Sequence, residues 1–473
     1  MGKVCEEPFL EKVYYENCRG CKLERLNKNQ QGVPYKRLLT IWVIVLSSCL
    51  PISSLYPFLY FMIRDFHVAQ ADEDIGYYAG FVGAAYMLGR ALTSVFWGML
   101  ADKYGRKPTI ITGAITVVIF NTLFGFSVNL WMAISTRFLL GSLNGILGPI
   151  YAYACESVPY EYQALGLSTL SSAWSIALIM GPAVGGFLAQ PTEKYPSLFS
   201  KGSIFGRFPY LLPCLCISAF TLPVAIGSFW LPETLHIHNE TKSVEDISSP
   251  KALKGATPQA SSKSLIKNWP LISAIIVYCL FSLHDMAYSE IFSLWAVSPR
   301  KLGGLSYTTD RVGTVLSITG VGMLIFQVFI YPHVQKLLGP ILWVRITGIL
   351  SIPLLQSYPS IALLSGLSLT LVINFASIAK NAMTMAAITS LLLMQSRAVD
   401  RDQRGTANGI AVTSMSLFKA IGPVLGGALL SWAEKRQHAR FLPGSMMMFF
   451  LLNVVELAAV LLTFKPFLVE RQA

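Results

Sequence analysis

Ionisable side chains stand in the middle of long apolar stretches of this sequence. In "FSLHDMAYSEIFSLW", which begins at position 281, His284 and Asp285 are adjacent and Glu290 follows about a turn and a half of helix later. Histidine is the side chain whose ordinary pKa lies closest to neutrality. We expect the adjacent pair His284 and Asp285 to exchange protons near pH 7. The alternative is a structural role, in which the same side chains hydrogen-bond and fix two helices together.

Cations also occur within apolar stretches. Lys380 and Asn381 lie in "NFASIAKNAMT", and Arg137 begins "RFLLGSLNGILGP". A charge inside hydrocarbon is costly unless it faces a cavity or a partner. Lys380 would therefore suit a substrate carboxylate or act as the counter-charge of Asp285, and a cavity lined by Arg137 and Lys380 would accept an organic anion. Further ionisable residues in apolar segments are Arg90, Lys419 and Glu456.

The composition is that of a membrane protein. Of the 473 residues, 53% are hydrophobic and 13% are charged, whereas soluble domains carry roughly 25% charged residues. Because backbone polar groups in hydrocarbon must be satisfied within each segment, apolar runs of about 20 residues predict helices. The twelve predicted spans are 39–63, 75–100, 108–127, 130–154, 164–190, 209–231, 269–297, 310–332, 341–357, 360–394, 405–432 and 443–464.

Positive residues predict the orientation of these spans. Lys and Arg are concentrated before the first span and in the loops near 103–107, 242–267 and 397–404, whereas the first loop on the other side, "RDFHVAQADEDIG", is acidic. Both termini are therefore expected to be cytoplasmic. This asymmetry explains much of the net charge of +12 without a nucleic-acid partner. The first 37 residues are polar and predict no signal peptide.

An internal repeat divides the chain into halves. "MGPAVGG" (180–186) recurs as "IGPVLGG" (421–427), about half the chain later. Glycine lets helix backbones approach closely, and proline removes a backbone donor; ordinary small-residue packing is the alternative. The helix-packing residues are Gly181, Pro182, Gly185, Gly186, Gly422 and Pro423. We predict a tail (1–38), a six-helix lobe (39–231), a central loop (232–268), a second six-helix lobe (269–464) and a tail (465–473).

The loop between the second and third spans reads "WGMLADKYGRKP" (97–108). An acidic side chain here can face a helix N-terminus, and the neighbouring cations can pair with acidic partners, so the loop could hold one side of the molecule shut until the helices rock apart. A plain positive loop is the alternative. The predicted gating residues are Gly98, Asp102, Lys103, Gly105, Arg106 and Lys107.

The motifs together resemble the major facilitator superfamily. The ordered loop motif is similar to the signature of that superfamily, and Arg137, Gly141, Gly145 and Gly148, which we expect to share one helix face, resemble the fourth-helix motif of its proton-coupled antiporters. The fifth span, from Ser168 through Ala177 to Gly186, resembles the antiporter motif of the fifth helix, and its repeat in the eleventh span departs from that motif at Phe418, where the motif has a small residue. "CRGC" at Cys18–Cys21 and "PETLHIH" (232–238) resemble the plant zinc-induced facilitator-like branch, with Arg19 as a departure.

The resemblance implies a fold and a function. The fold would be twelve transmembrane helices in two six-helix lobes. The function would be proton-coupled export, from the cytosol, of a small organic anion or a metal chelator of the nicotianamine or mugineic-acid type, in zinc and iron homeostasis, across the plasma membrane or the vacuolar membrane. The alternatives are a non-transporting sensor of cytosolic zinc, or a transporter of potassium or drug-like anions. No nucleophile–base arrangement or phosphate-binding loop predicts an enzyme.

The cysteine motif has a second interpretation. Two cysteines at this spacing can close on zinc or form a disulfide, and disulfides are uncommon in the cytosol. If the tail and the central loop lie on the same side, Cys18 and Cys21 could meet His236 and His238 and complete a tetrahedral zinc site. We expect no resident cofactor apart from such a regulatory zinc. The alternative is a tail and a loop that never meet.

Overall fold

The computed structural model describes residues 18–30, 32–159, 162–235, 265, 267–399 and 404–469. The N-terminal lobe contains the apolar helices α1 (Tyr35–Ser53), α2 (Ile75–Tyr104), α3 (Arg106–Gly125), α4 (Leu130–Leu143), α5 (Gln163–Leu188) and α6 (Leu211–Gly227). The C-terminal lobe contains α7 (Trp269–Val297), α8 (Thr309–Ile325), α9 (Pro340–Gln356), α10 (Gly366–Arg397), α11 (Arg404–Glu434) and α12 (Ser445–Leu461).

Nine of these helices, within the described part of the chain, are long and apolar enough to cross a membrane, and α4, α9 and α12 are shorter apolar helices. Large apolar side chains such as Leu92, Phe329 and Phe375 are exposed on outer helix faces, where lipid would cover them. The predicted all-α membrane fold of twelve helices in two lobes is confirmed.

Shorter elements complete the described chain. They are helices Arg19–Lys28, Leu59–Asp65, Pro149–Glu156, Pro191–Lys194, Ile204–Arg207, Tyr331–Leu338 and Tyr358–Ile361, 3-10 turns Asp72–Asp74, Ser228–Trp230 and Arg300–Leu302, and a π-helical stretch Phe326–Ile330. The side of the bundle that carries the start of α1, the turn at Gly105 and the end of α12 is called the terminal face. The other side, which carries loops 66–74, 298–308 and 435–444, is called the opposite face.

The sequence prediction of an unbroken fourth span is wrong. The chain leaves the helix at Asn144–Gly148 and resumes it at Pro149, because glycines weaken a helix and Pro149 has no backbone N–H with which to continue the preceding one. The Asn144 side chain donates to Ser48 Oγ at 2.9 Å and satisfies the break from within. Gly145 and Gly148 therefore do not share a helix face with Arg137.

Two other boundaries differ from the prediction. The first span is interrupted after Ser53 and resumes at Leu59, with prolines at positions 51 and 57 beside the break. The tenth helix begins at Gly366 rather than near residue 360, since the chain first makes the separate turn Tyr358–Ile361. Apolar composition continues through both breaks, so hydropathy alone does not reveal them.

The two lobes meet along two helix pairs, α2 with α11 and α5 with α8. A Cβ on Gly186 of α5 would lie 2.8 Å from Gly313 of α8, and Gly427 of α11 lies against the backbone of Gly76 in α2. The same motifs also contact α1 (from α5) and α7 (from α11) within their own lobes. The repeated motif thus makes equivalent contacts in both halves, six helices apart.

The described contacts between the lobes concentrate toward the opposite face. Tyr77 N donates to Ser431 Oγ at 2.8 Å, and Ser317 Oγ donates to Ile179 O at 2.9 Å. At the terminal end of α2, by contrast, a Cβ on Gly98 would meet no atom within 4 Å, and the side chain of Asp102 is 72% exposed. The bundle is therefore closed at the opposite face, with α2 uncovered at the terminal face.

Candidate functional site

A buried ion pair joins α7 to α10 in the C-terminal lobe. Lys380 Nζ lies 3.7 Å from Asp285 Oδ1 and 3.7 Å from the ring centroid of Tyr288, whose hydroxyl is 2.8 Å from that of Tyr358. Lys380 is fully buried, whereas a quarter of the Asp285 side chain is exposed. The carboxylate can thus be reached by solvent while its cation lies behind it.

A second buried pair joins α7 to α12. His284 Nδ1 lies 2.7 Å from Glu456 Oε2, and Ser351 Oγ donates to Glu456 Oε1 at 2.7 Å. Adjacent residues point in different directions on a helix, so His284 and Asp285 have separate partners. In the sequence, Glu456 is only an ionisable residue in an apolar span; its pairing with His284 depends on how α12 is rotated, which one sequence does not reveal.

Arg137 is enclosed in the N-terminal lobe. Its Nη1 donates to Pro51 O at 2.8 Å, and its guanidinium lies 5.3 Å from the ring centroid of Tyr86 and 5.2 Å from that of Phe124. Its pocket is shared with Glu290 of α7 and is not lined by Lys380. Each predicted cation therefore has its own surroundings: an ion pair for Lys380, and aromatic rings with a backbone carbonyl for Arg137.

Glu290 lies where three helices meet. It is fully buried on α7, beside Gly83 of α2 and Pro423 and Gly426 of α11. Asn381, the remaining predicted residue of this set, donates to Ser377 O within its own helix at 2.9 Å. The structure therefore separates the predicted residues into a C-terminal-lobe network and a seam between the lobes.

Charged side chains clasp the lobes at the opposite face. Lys435, at the end of α11, contacts Asp74 at 2.5 Å, and Lys301 lies 3.4 Å from Asp72. The hydrogen bond that Lys435 donates to Asp74 raises the pKa of Lys435. Lys194 donates to Gly186 O and Thr309 Oγ1, and burial lowers its pKa. The acidic loop before α2 thus supplies Asp72 and Asp74 to the charged contacts between the lobes. These contacts, Asp74 with Lys435 and Asp72 with Lys301, are called the opposite-face clasp.

The terminal-face loop is tied to its own lobe. Arg106 pairs with Asp102 and lies 3.3 Å from Glu156, the last residue of helix Pro149–Glu156. The carboxylate of Glu233 accepts from Arg106 N at 2.9 Å and Lys107 N at 3.2 Å, which caps the start of α3. The sequence analysis did not identify Glu156 and Glu233 as partners of this loop. The only signal in the sequence was the presence of acidic residues on the side of the membrane where basic residues predominate.

Gly105 forms the corner of this loop with φ +111°, a conformation that favours glycine. Lys103 lies 5.3 Å from the ring centroid of Tyr104. The predicted loop residues are therefore neighbours in space, and Gly98 lies two helical turns before the corner.

The N-terminal tail helix packs its cysteine-bearing face inward. Cys18 and Cys21 are each 3% exposed at the start of Arg19–Lys28, and Asn27 Nδ2 donates to Glu156 O at 3.3 Å. His236 and His238 lie outside the described residues. Within the described ranges, no group of three His, Cys, Asp or Glu side chains is arranged to hold a metal, and the four-residue zinc site stays a prediction.

The architecture defines a class of protein. Two repeated helical lobes, charged groups buried at mid-bundle and a seam closed at one face are the parts of a transporter that works by alternating access. The chain belongs to the Major Facilitator Superfamily, whose family model matches residues 41–399. Members of this family are transporters, which confirms the prediction that the chain is not an enzyme.

The relatives define the branch. The chain is 57% identical to Protein ZINC INDUCED FACILITATOR-LIKE 1 of Arabidopsis thaliana, over 100% of both chains, and 58% identical to Protein ZINC INDUCED FACILITATOR 1 of the same plant, over 99% of both. A probable peptide/nitrate transporter of Arabidopsis thaliana is 53% identical over 97% of both chains. The predicted membership of the zinc-induced facilitator-like branch is confirmed.

Solved structures support the fold. A D-xylose-proton symporter matches with a TM-score of 0.69 at 13% identity, over 92% of this chain and 98% of its own. The human organic anion transporter MFSD10 matches with a TM-score of 0.61 at 15% identity, over 92% and 100%. At these identities the likeness concerns the fold alone.

Proposed function

We propose that this protein is a proton-coupled secondary transporter that exports a small organic anion from the cytosol, and that its substrate is an amino-carboxylate metal chelator of the nicotianamine or mugineic-acid type. The Asp285–Lys380 pair carries the proposal, because it offers a buried cation behind a carboxylate that solvent reaches. The terminal face would be the cytosolic side, since the basic loops concentrate there.

The pair gives substrate and proton a common site. A substrate carboxylate that approached Lys380 would displace Asp285, and two carboxylates beside one buried cation would leave an uncompensated negative charge. Burying an unpaired charge costs several kcal/mol. Protonation of Asp285 would remove the extra negative charge and avoid that cost. Substrate and proton are then bound in a linked manner, which is the requirement for coupling.

The relatives support the choice of substrate class. Two are named for induction by zinc, and a third is named as a probable peptide/nitrate transporter; carboxylate-bearing chelators fit both an anion-binding cation and a role in zinc and iron homeostasis. The proposed location is the plasma membrane or the vacuolar membrane.

The test is uptake into proteoliposomes of candidate chelators, free and metal-bound, with and without a pH gradient. We expect accumulation only with the gradient. Asp285→Asn keeps the shape of the side chain but removes its titratable charge. It should reduce accumulation to the level of gradient-free vesicles while retaining substrate exchange.

Asp310→Asn, at the start of α8, is the matched control and should accumulate substrate as the wild type does. Full accumulation by Asp285→Asn would remove the proton role of this residue. If no carboxylate chelator were transported by the wild type under any gradient, the proposed substrate class would be wrong.

A further inference from the structure

Among the buried acids that the structure describes, Glu290 has no hydrogen-bond donor, whereas Glu434 and Glu456 each accept from a serine. Glu290 is 0% exposed, and neither of its carboxylate oxygens has a hydrogen-bond partner among the residues that the structure describes. Glu456, buried to a similar depth, has contacts from His284 and Ser351. The carboxyl group of Glu290 is therefore enclosed without the contacts that usually stabilise a carboxylate.

The enclosure is made by the seam between the lobes. A Cβ on Gly83 of α2 would lie 2.9 Å from Glu290 Oε2 and 3.1 Å from Pro423 of α11, so the two helices cross directly over the carboxyl group. Gly426, also on α11, packs against the Cβ of Glu290. If α2 and α11 separated at the opposite face, the cover over Glu290 would be removed.

Few charges face this group. The titratable side chains that line its pocket come from the N-terminal lobe: Tyr56, Tyr86 and Arg137. Arg137 donates its Nη1 to Pro51 O and stacks between aromatic rings, and it makes no hydrogen bond to Glu290 in the described structure. The α11 contacts are Pro423 and Gly426, which do not titrate. The nearest charged residues along the helices are Lys419 on α11 and Asp285 on α7, which lie about a turn from Pro423 and about a turn and a half from Glu290, toward the terminal face; Tyr288 lies between Asp285 and Glu290 on α7.

The cost of removing a charge from water couples the protonation of Glu290 to the closure of α2 and α11. An ionised carboxylate without donors in an enclosed site is strongly disfavoured, whereas a neutral carboxyl group is tolerated. We propose that Glu290 is a proton-dependent latch of the seam: α2 and α11 close over it at the opposite face when it carries a proton and separate when it does not. This inference deepens the proposed function, on which it rests for the idea that a proton gradient drives transport.

The proton balance is simple. On closure, a proton from water at the opposite face forms an O–H bond with the Glu290 carboxylate, and reopening returns that proton to water. Because closure takes up one proton, its equilibrium should shift up to tenfold per pH unit while the open form is ionised and the closed form is protonated. Acid favours closure and alkali favours opening.

The test measures conformation rather than transport. Spin labels are attached through p-acetylphenylalanine at Val128 and Leu363, two exposed opposite-face positions in different lobes, and their separation is recorded in lipid nanodiscs from pH 5 to pH 8. The wild type should change from short to long distances as the pH rises. Glu290→Gln, which cannot ionise, should keep the short distance throughout, and Glu290→Asp should regain a pH response.

Asp65→Asn is the matched control, because it neutralises an opposite-face acid whose hydrogen-bond partner, Tyr210, lies in the same lobe; the pH midpoint should not move. A wild-type distance independent of pH, or a Glu290→Gln response like that of the wild type, would overturn the latch. Since no substrate is present, a pH-dependent seam in a protein that transports no chelator would leave the latch standing and remove only the proposed function.

Discussion

At the scale of single residues, the C-terminal lobe holds its charges in two layers. Asp285 and Lys380 form the layer that solvent reaches, and His284 with Glu456 forms a layer with almost no exposure. The neighbours in sequence, His284 and Asp285, therefore have different environments. A group that solvent reaches can exchange protons without local opening, so Asp285 is better placed for coupling than His284.

The two cysteines of the tail allow a residue-level test of zinc regulation. We propose that zinc bound by Cys18 and Cys21 holds the tail helix against the end of helix Pro149–Glu156, where Asn27 Nδ2 donates to Glu156 O and Arg37 Nη1 donates to Ser157 O at 2.9 Å. Cys18→Ser combined with Cys21→Ser should abolish any response of transport to zinc on the terminal side, because a serine hydroxyl is a poor zinc ligand.

The measurement is transport during a zinc titration, together with the zinc content of the purified protein. Cys216→Ser, at an exposed position on α6, is the control and should respond as the wild type does. Equal zinc responses in the double variant, or wild-type protein that binds no zinc, would leave the cysteine motif without a metal role.

At the scale of elements, α2 carries one close contact and one uncovered glycine. A Cβ on Gly80 would lie 2.5 Å from Pro423 O, a backbone atom, whereas a Cβ on Gly98 meets nothing within 4 Å. Gly80→Val should therefore prevent closure at the opposite face, and Gly98→Val should be accommodated in the present conformation. Overpacking costs about 1–3 kcal/mol, a shift of roughly 5- to 150-fold in the ratio of the two conformations.

The two substitutions are compared by labelling the protein with a membrane-impermeant reagent at the opposite face. Gly80→Val should increase reactivity there and Gly98→Val should not. If both substitutions shifted the labelling in the same direction, or neither did, α2 would not be the element on which closure depends.

The elements were predictable where a single physical property defines them. Runs of apolar residues located all twelve helices, because hydrocarbon leaves a helix as the only way to satisfy the backbone. The break at Asn144–Gly148 was not predicted, because it is stabilised by Ser48 from another helix. Side-chain partners were the least predictable: the carboxylate of Glu233 caps α3 across more than a hundred residues of chain, and no local pattern encodes that distance.

At the scale of the whole molecule, the two faces are stabilised in different ways. The opposite face is closed by contacts between lobes, with Asp74 paired to Lys435 and Asp72 near Lys301. At the terminal face, Asp102 and Arg106 contact partners within their own lobe. The opposite-face clasp must break, and the terminal loop must find partners on the other lobe, when the molecule passes to its alternative conformation.

Asp102 is the residue whose loss should slow that passage. Its side chain is 72% exposed and bound only to Arg106 of the described residues, so it is available to face a helix N-terminus when the lobes close at the terminal face. Such an interaction is worth about 0.3–2 kcal/mol, or roughly 2- to 30-fold in the population of the closed form. Asp102→Asn should therefore lower the turnover rate by a factor in that range.

Substrate affinity should change little, because Asp102 lies on the terminal-face loop, remote from Lys380 at mid-bundle. Steady-state uptake gives the rate, and equilibrium binding of the chelator to the solubilised protein gives the affinity. Lys36→Gln, which alters an exposed charge at the terminal-face start of α1 and outside this loop, is the control and should retain most of the rate. Weakened binding with an unchanged turnover rate in Asp102→Asn would mean that the loop acts on the substrate site rather than on the movement of the lobes.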